Sequence, residues 1–235
     1  MKRVVVISLG GSIVVPSLSA PERVVRNIEF LHKFKETLRK HYSTHKFVIV
    51  VGGGAIARLY IEALRHERKG KRELAMAGIR ATRMNALFLM QFFGKEANEK
   101  LPRNMKEVKT NLPKNNVVIC GALRFAKNAT SDSTAAKLAH YFKTIFINIT
   151  NVDGLYTSDP RKNPRAKLVR RISWEKFHSL TSKIKFKAGQ NFVLDQLSAE
   201  LIKEHKIDTY IIGPNVKSLA GILEGKPFVG TLISS

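Results

Sequence analysis

The chain has 235 residues, 44% of them apolar and 25% charged, enough to bury roughly 70–75% of its unfolded surface and to exclude whole-chain disorder. Forty-one lysines and arginines (41) against 18 aspartates and glutamates give a net charge of +23, so anions are drawn to its surface. No apolar run approaches the roughly 18–20 residues of a membrane helix, and the single cysteine, Cys120, excludes an internal disulfide. No Pro/Gly/Ser-rich linker divides the chain, so one domain is expected. The lone thiol and an N-terminus without a signal-peptide cleavage pattern predict a cytoplasmic protein.

Val4 to Leu9 is a β-branched run that stops at Gly10-Gly11-Ser12, the pattern of a buried parallel strand entering a tight loop. Ser19, Pro21 and Glu22 supply helix-start signals, and Val25, Ile28, Leu31, Phe34 and Leu38 recur at helical spacing. Phe47 to Val51 predicts a second strand, ending at Gly52-Gly53-Gly54 and a helix with Ala55, Ile56, Leu59, Tyr60 and Ala63 as its apolar stripe. Strand, helix, strand, glycine loop and helix in that order imply a parallel sheet with helices packed on it.

Gly78 to Phe93 reads as a further helix, buried against the sheet or a subunit partner through Ile79, Met84, Ala86, Leu87, Met90 and Phe93. Gly94 to Asn116 carries little pattern. Strands are expected at Val117–Cys120, Ile145–Ile149, Thr209–Ile212 and Phe228–Ile233, and helices at Thr130–Phe142, Asp195–Lys206 and Val216–Leu223. The segment Pro160 to Trp174 holds six basic residues and no acid, which fits either a nucleic-acid patch or a solvated basic surface.

Two glycine loops after buried strands suit a phosphate, because glycine lets backbone N–H groups approach an anion closely. Neither loop is a Walker motif or Gly-x-Gly-x-x-Gly, and tight strand-to-helix turns alone would also explain them. Arg58, just after the second loop, favours a polyanionic ligand. Asp132 at a strand-to-helix junction reads either as a helix-capping acid or as a carboxylate arranging charge at a phosphate site. His41 and His45 lack a third ligand, and no metal site is expected.

Taken together, Ser8-Leu9-Gly10-Gly11-Ser12, Val51 to Gly54 with Arg58, Gly78-Ile79 through Ala86, Thr130-Ser131-Asp132-Ser133, Thr150 to Tyr156 with Ser158-Asp159-Pro160, and Lys187-Ala188-Gly189 before Asp195 resemble the amino acid kinase family. Within it the archaeal-type UMP kinases are most similar. The resemblance runs in order along essentially the whole chain. It implies an α/β fold, a three-layer α/β/α sandwich around a mainly parallel sheet, with an acceptor half at roughly 1–143 and a nucleotide-donor half at roughly 144–235. It also implies a UMP kinase using ATP with Mg²⁺ in pyrimidine nucleotide synthesis, assembled as a homo-oligomer, a hexamer in this family, with no membrane attachment.

Position by position, the resemblance assigns Gly11, Ser12, Gly54 and Arg58 to the ATP phosphates. Thr150, Asn151, Tyr156 and Asp159 hold the donor nucleotide in this reading. Gly53, Leu123, Arg124, Thr130 and Ser131 meet UMP, and Asp132 with Arg58 serves the transferred phosphoryl group. Three departures stand out. Ser8 occupies a position that is lysine in many members, leaving Arg58 or Lys187 to supply the cation. The acceptor loop from Gly121 to Ala129 is long and basic. Ala75 replaces an aspartate that meets the acceptor ribose in UMP kinases, with Glu73 the nearest substitute. Two other readings remain: an enzyme of this fold with another phosphate or carboxylate acceptor, and a catalytically weakened nucleotide- or nucleic-acid-binding protein.

Overall fold

The computed structural model describes residues 2–15, 22–125, 129–160, 162–183 and 193–235. Ser19, Pro21, Arg161 and Lys187 therefore lie outside the described residues, as does the centre of the acceptor loop at 126–128. The first half contains β1 (Arg3–Leu9), α1 (Gly11–Val14), α2 (Glu22–Lys40), β2 (His45–Val51), α3 (Gly54–His66), α4 (Lys71–Phe93), α5 (Met105–Asn111), β3 (Val117–Cys120) and α6 (Ser131–Phe142). It continues with β4 (Phe146–Ile149), β5 (Arg171–Ser173), α7 (Trp174–Ser182), α8 (Gln196–Glu204), β6 (Thr209–Ile212), α9 (Val216–Glu224) and β7 (Thr231–Ser234).

One sheet runs through both halves in the order β3-β2-β1-β4-β6-β7-β5. Neighbours from β3 to β6 are parallel, β6 and β7 are antiparallel, and β5 pairs parallel with β7. Because successive strand residues face opposite sides, Val5, Ile7 and Leu9 enter one core with Leu31, Phe34 and Leu38 of α2 and Leu89 and Phe93 of α4. Val6, Val48, Val50 and Val118 enter the other, beneath Ala135, Leu138 and Ala139 of α6 and Ile202 of α8. Two apolar faces with helices on each make the three layers.

The edge strand β3 is closed by a buried side chain: Asn98 accepts from Ile119 N at 2.6 Å and donates to Ile119 O at 3.0 Å. Nothing in the weakly patterned stretch before β3 announced this. That stretch also contains α5, whose start is marked by Asn104 accepting from Glu107 N at 3.0 Å. The basic stretch likewise holds structure that composition concealed. It includes β5 and the first residue of α7, which is capped by Ser173 accepting from Lys176 N.

Several expected faces are corrected. In α3 the buried residues are Ala57 and Ile61, while Leu59, Tyr60 and Ala63 are exposed. That helix rests on α4, and only a narrow stripe is covered. Helix α4 begins seven residues before Gly78, and Met84, Leu87 and Phe88 point outward at 65%, 43% and 39% exposure. Val25 of α2 is also exposed. The turn expected at Gly10–Ser12 is the start of α1, and the closing strand begins at Thr231 rather than Phe228. His45 is buried at the head of β2, and His41 lies in the turn before it, so the two do not share a helix face.

Candidate active site

The sheet order reverses between β1 and β4. From β1 the chain goes to β2 on one side, and from β4 it goes to strands on the other, first β5 at the far edge and then β6 beside β4. In an open α/β sheet, the crevice beyond the carboxyl ends of two such strands is where ligands bind. Here those ends are Gly10-Gly11 and Thr150-Asn151, held together by the Gly10 amide donating to Ile149 O at 3.0 Å. The Thr150 amide continues the register to Ile212 O at 2.9 Å.

The two glycine loops touch backbone to backbone. A Cβ on Gly11 would sit 2.3 Å from Gly54 N and 2.4 Å from Gly52 O, and one on Gly52 would sit 2.7 Å from Gly11 N. Gly54 has φ +61°, in the left-handed region that side chains disfavour. Gly53 packs against Ala57, Thr82 and the carbonyl of Gly78. Two side chains fix the loops from outside: Asn85 donates to Gly52 O at 2.8 Å and Asn27 to Ser12 O at 3.0 Å. The amides of two helix starts, α1 and α3, thus converge on one small region, which favours negative charge.

A polar row crosses the sheet beneath that region. Ser8 and Asn148 are register neighbours on adjacent strands, and both are buried in otherwise apolar runs. The Ser8 hydroxyl donates to Asp132 Oδ1 at 2.7 Å, and Asn148 Nδ2 donates to Val193 O at 2.5 Å. Asp132 sits in the first turn of α6, whose N-cap Thr130 accepts from Asp132 N and Ser133 N. The Thr130 hydroxyl donates in turn to Asp195 Oδ2, and Asp195 caps α8 by accepting from Ser198 N at 2.9 Å. Burial, with the neighbouring charge of Asp195, pushes the Asp132 carboxyl up to about 7, and the Ser8 hydrogen bond opposes this.

The acceptor-side residues are ordered by α4. Thr82 Oγ1 accepts from Ala122 N at 2.9 Å, and a Cβ on Gly121 would lie 2.8 Å from the α4 backbone. Leu123 is buried and Arg124 is exposed beside it. Glu73 is exposed in the first turn of α4, with its carboxylate against Gly70. Two residues along a helix are about 200° apart, so Glu73 and Ala75 occupy opposite sides.

Among the donor-side residues, Thr150 and Asn151 leave β4 at the crevice, with their side chains 3.5 Å apart. Tyr156 and Asp159 lie farther along this excursion, which is pinned by Leu155 N donating to Thr231 Oγ1 at 2.8 Å and by a bridge between Tyr156 and Leu168. The Tyr156 hydroxyl is raised by burial and by Asp153. Arg58 is exposed on α3, one turn beyond Gly54. Sequence patterning drew Gly11, Ser12, Gly53, Gly54, Thr130, Ser131 and Asp132 into one region. Thr82 and Asn85 fell within the Gly78–Ala86 string that carries the resemblance but were given no role, and Asn148, a polar residue inside an apolar run, was passed over.

The layout is that of a three-layer α/β protein with two glycine loops at the carboxyl ends of its central strands. The chain belongs to the amino acid kinase family, which matches residues 3–213. The uridylate kinase of Thermococcus onnurineus is 34% identical over 224 residues, covering 94% of this chain and 96% of that protein. That of Archaeoglobus fulgidus is 33% identical over 231 residues, covering 98% and 99%. Its crystal structure superposes with a TM-score of 0.82 over 100% of both chains. The UMP kinase of Bacillus anthracis, 18% identical, has a TM-score of 0.76 over 99% of this chain and 96% of that one, a likeness of fold alone. Among the described residues no helix is long and apolar enough to cross a membrane.

Proposed function

We propose that the chain is a uridylate kinase, transferring the terminal phosphoryl group of ATP to UMP to give UDP and ADP. The observation that carries the reading is the backbone contact of the Gly11 and Gly54 loops, too close for a Cβ, at the end of the strand whose Ser8 holds Asp132. Full-length relatives with that activity in their names support the choice of acceptor.

In-line phosphoryl transfer needs alignment and charge stabilisation rather than a covalent enzyme intermediate. In the proposal, Gly11, Ser12 and Gly54 orient the ATP phosphates through backbone N–H groups, and exposed Arg58 swings over them as the mobile cation. Thr150, Asn151, Tyr156 and Asp159 hold the donor nucleoside. Gly53, Leu123, Arg124, Thr130 and Ser131 seat UMP. Glu73, in the first turn of α4 with its carboxylate near Gly70, is the substitute acid for the acceptor ribose if Ala75 leaves that place empty. Asp132, rigidly held by Ser8, fixes a proton or negative charge beside the phosphates.

Mg²⁺ bound with ATP neutralises phosphate charge during transfer. Among the described residues no group of three or more His, Cys, Asp or Glu forms a metal cage. Asp132 with only Asp195 near it is too small a carboxylate set for a dedicated cage and suits a cation that arrives on the nucleotide. The halves 1–143 and 144–235 divide, in this reading, into acceptor and donor sides of one sheet. The outward apolar residues Met84, Leu87 and Phe88 are proposed to face a second copy of the chain in a homo-oligomer.

An acceptor screen with γ-labelled ATP tests the reading. UMP should be the preferred acceptor over other nucleoside monophosphates, isopentenyl phosphate and N-acyl amino acids. Preference for one of the last two would replace it with another chemistry of the same fold.

A further inference from the structure

The acceptor loop leaves β3 with its first carbonyls in the grip of one side chain. Arg83, near the middle of α4, donates from Nη2 to Leu123 O at 2.9 Å and from Nε to Ala122 O at 3.3 Å. The adjacent residue Thr82 accepts from Ala122 N, so the residue Ala122 is held at both its amide and its carbonyl, in two successive peptide groups. Gly121 completes the arrangement, since a side chain there would collide with the Arg83 and Thr82 backbone at 2.8 Å.

A guanidinium used in this way is unusual in its charge balance. Arg83 is half-buried, and burial together with nearby Arg103 lowers its pKa. Among the described residues no carboxylate lies within ion-pair distance of it, and both of its hydrogen bonds go to neutral carbonyls. Had the role been only to tie a loop to a helix, a neutral amide would serve at lower desolvation cost. A planar fork matches two successive carbonyls, and the unbalanced charge favours an anion near the start of this loop.

We propose that Arg83 is a positioning residue for the acceptor: its guanidinium fork sets the backbone of Ala122 and Leu123 where the acceptor loop leaves β3, and its charge favours a phosphate-bearing acceptor beside them. The inference rests on the reading of this loop as the UMP-binding side. Asp132 and Gly10-Gly11 lie on other elements, and the two carbonyls that Arg83 holds belong to the acceptor loop alone, so the proposal places its effect on the acceptor side.

The test compares Arg83→Lys and Arg83→Gln with the unmodified protein. Lysine keeps the charge and loses the fork, whereas glutamine keeps one donor and loses the charge. Both should raise the KM for UMP by about tenfold or more, the scale of one lost charge-assisted hydrogen bond, and leave the KM for ATP within twofold. Hydrogen exchange of the Ala122 and Leu123 amides should accelerate in both, while the melting temperature shifts by only a few degrees. An unchanged UMP KM and unchanged exchange in Arg83→Lys would overturn the proposal. So would equal rises in both KM values, which mark a general structural role. Faster loop exchange in a protein that does not phosphorylate UMP would keep the loop-setting role and overturn the acceptor assignment instead.

Discussion

The Ser8 hydroxyl meets Asp132 Oδ1 at 2.7 Å, joining the carboxyl end of β1 to the first turn of α6. Strand and helix are 124 residues apart in sequence, and this bond fixes the carboxyl group under the glycine loops. Asp132→Asn keeps the shape and the capacity to accept from Ser8 while removing the ionisable group. It should fold normally and lose about 10²–10³ in kcat, the usual scale for a preorganised charge contact. Steady-state kinetics with both substrates saturating measure it, and full turnover would reduce Asp132 to a helix-capping role.

The same carboxyl group gives stability a pH dependence of known sign. Its folded pKa is raised to about 7, while in the unfolded chain it ionises near its ordinary value of 3.8. Between those values the folded state holds the extra proton, so this group's contribution to stability falls as pH rises from about 4 to 7 and then levels. Thermal unfolding of the ligand-free protein, compared with Asp132→Asn over that range, should show the variant gaining relative to wild type toward pH 7. Parallel curves would contradict the shift.

Glu96 works in the opposite direction. It accepts from Arg39 Nε at 2.9 Å and Tyr42 Oη at 3.0 Å and pairs with Lys35 at 3.1 Å, tying α2 to the end of α4. These partners overcome burial and lower its carboxyl to about 2. Its stabilisation is present above the ordinary glutamate value and is lost as pH falls through the folded one. Glu96→Gln should therefore lower the melting temperature at pH 7, with the gap closing as pH falls from about 4.5 toward 2.

Gly11→Ala tests the contact between the loops. Its Cβ would meet Gly54 N and Gly52 O, both backbone atoms that no rotamer change can clear. The variant should lose about 1–3 kcal/mol of stability in denaturant unfolding and most of its turnover. Gly94→Ala is a control with nothing within 4 Å of the added carbon, although its φ of +61° adds backbone strain. Kinetics unchanged by Gly11→Ala would remove the loop contact from the phosphate site.

Ala75 faces the Gly53 side of α4, where the family resemblance expects an aspartate for the acceptor ribose. Restoring it by Ala75→Asp should lower the KM for UMP about tenfold, since such a charged hydrogen bond contributes roughly 1.5–3 kcal/mol. Glu73→Gln should raise it, because Glu73, near Gly70 in the first turn of α4, is the substitute acid.

The strands and glycine loops were legible because each couples a β-branched run to a backbone requirement: Val4 to Leu9 and Phe47 to Val51 are buried on both faces, and only glycine fits where the loops meet. Helix faces were less legible. Leu59 and Met84 carry the apolar periodicity of buried residues, but α3 and α4 cover one another only along a stripe, so these side chains remain outside. Strand β5 was hidden because it is only three residues long at the end of a basic stretch, and its hydrogen bonds, to β7, come from a distant part of the chain. In the candidate site, glycines and Asp132 were visible by motif. Asn85, Asn148 and Arg83 act through contacts of 33, 45 and 39–40 residues' separation, which no local pattern encodes.

The most direct test of the central claim is the initial rate of ADP and UDP formation from ATP and UMP by the purified chain with Mg²⁺. The account predicts equal amounts of the two products, saturation in each substrate, and loss of the rate in Asp132→Asn. ADP formation independent of UMP, or no UDP at any UMP concentration, would contradict it.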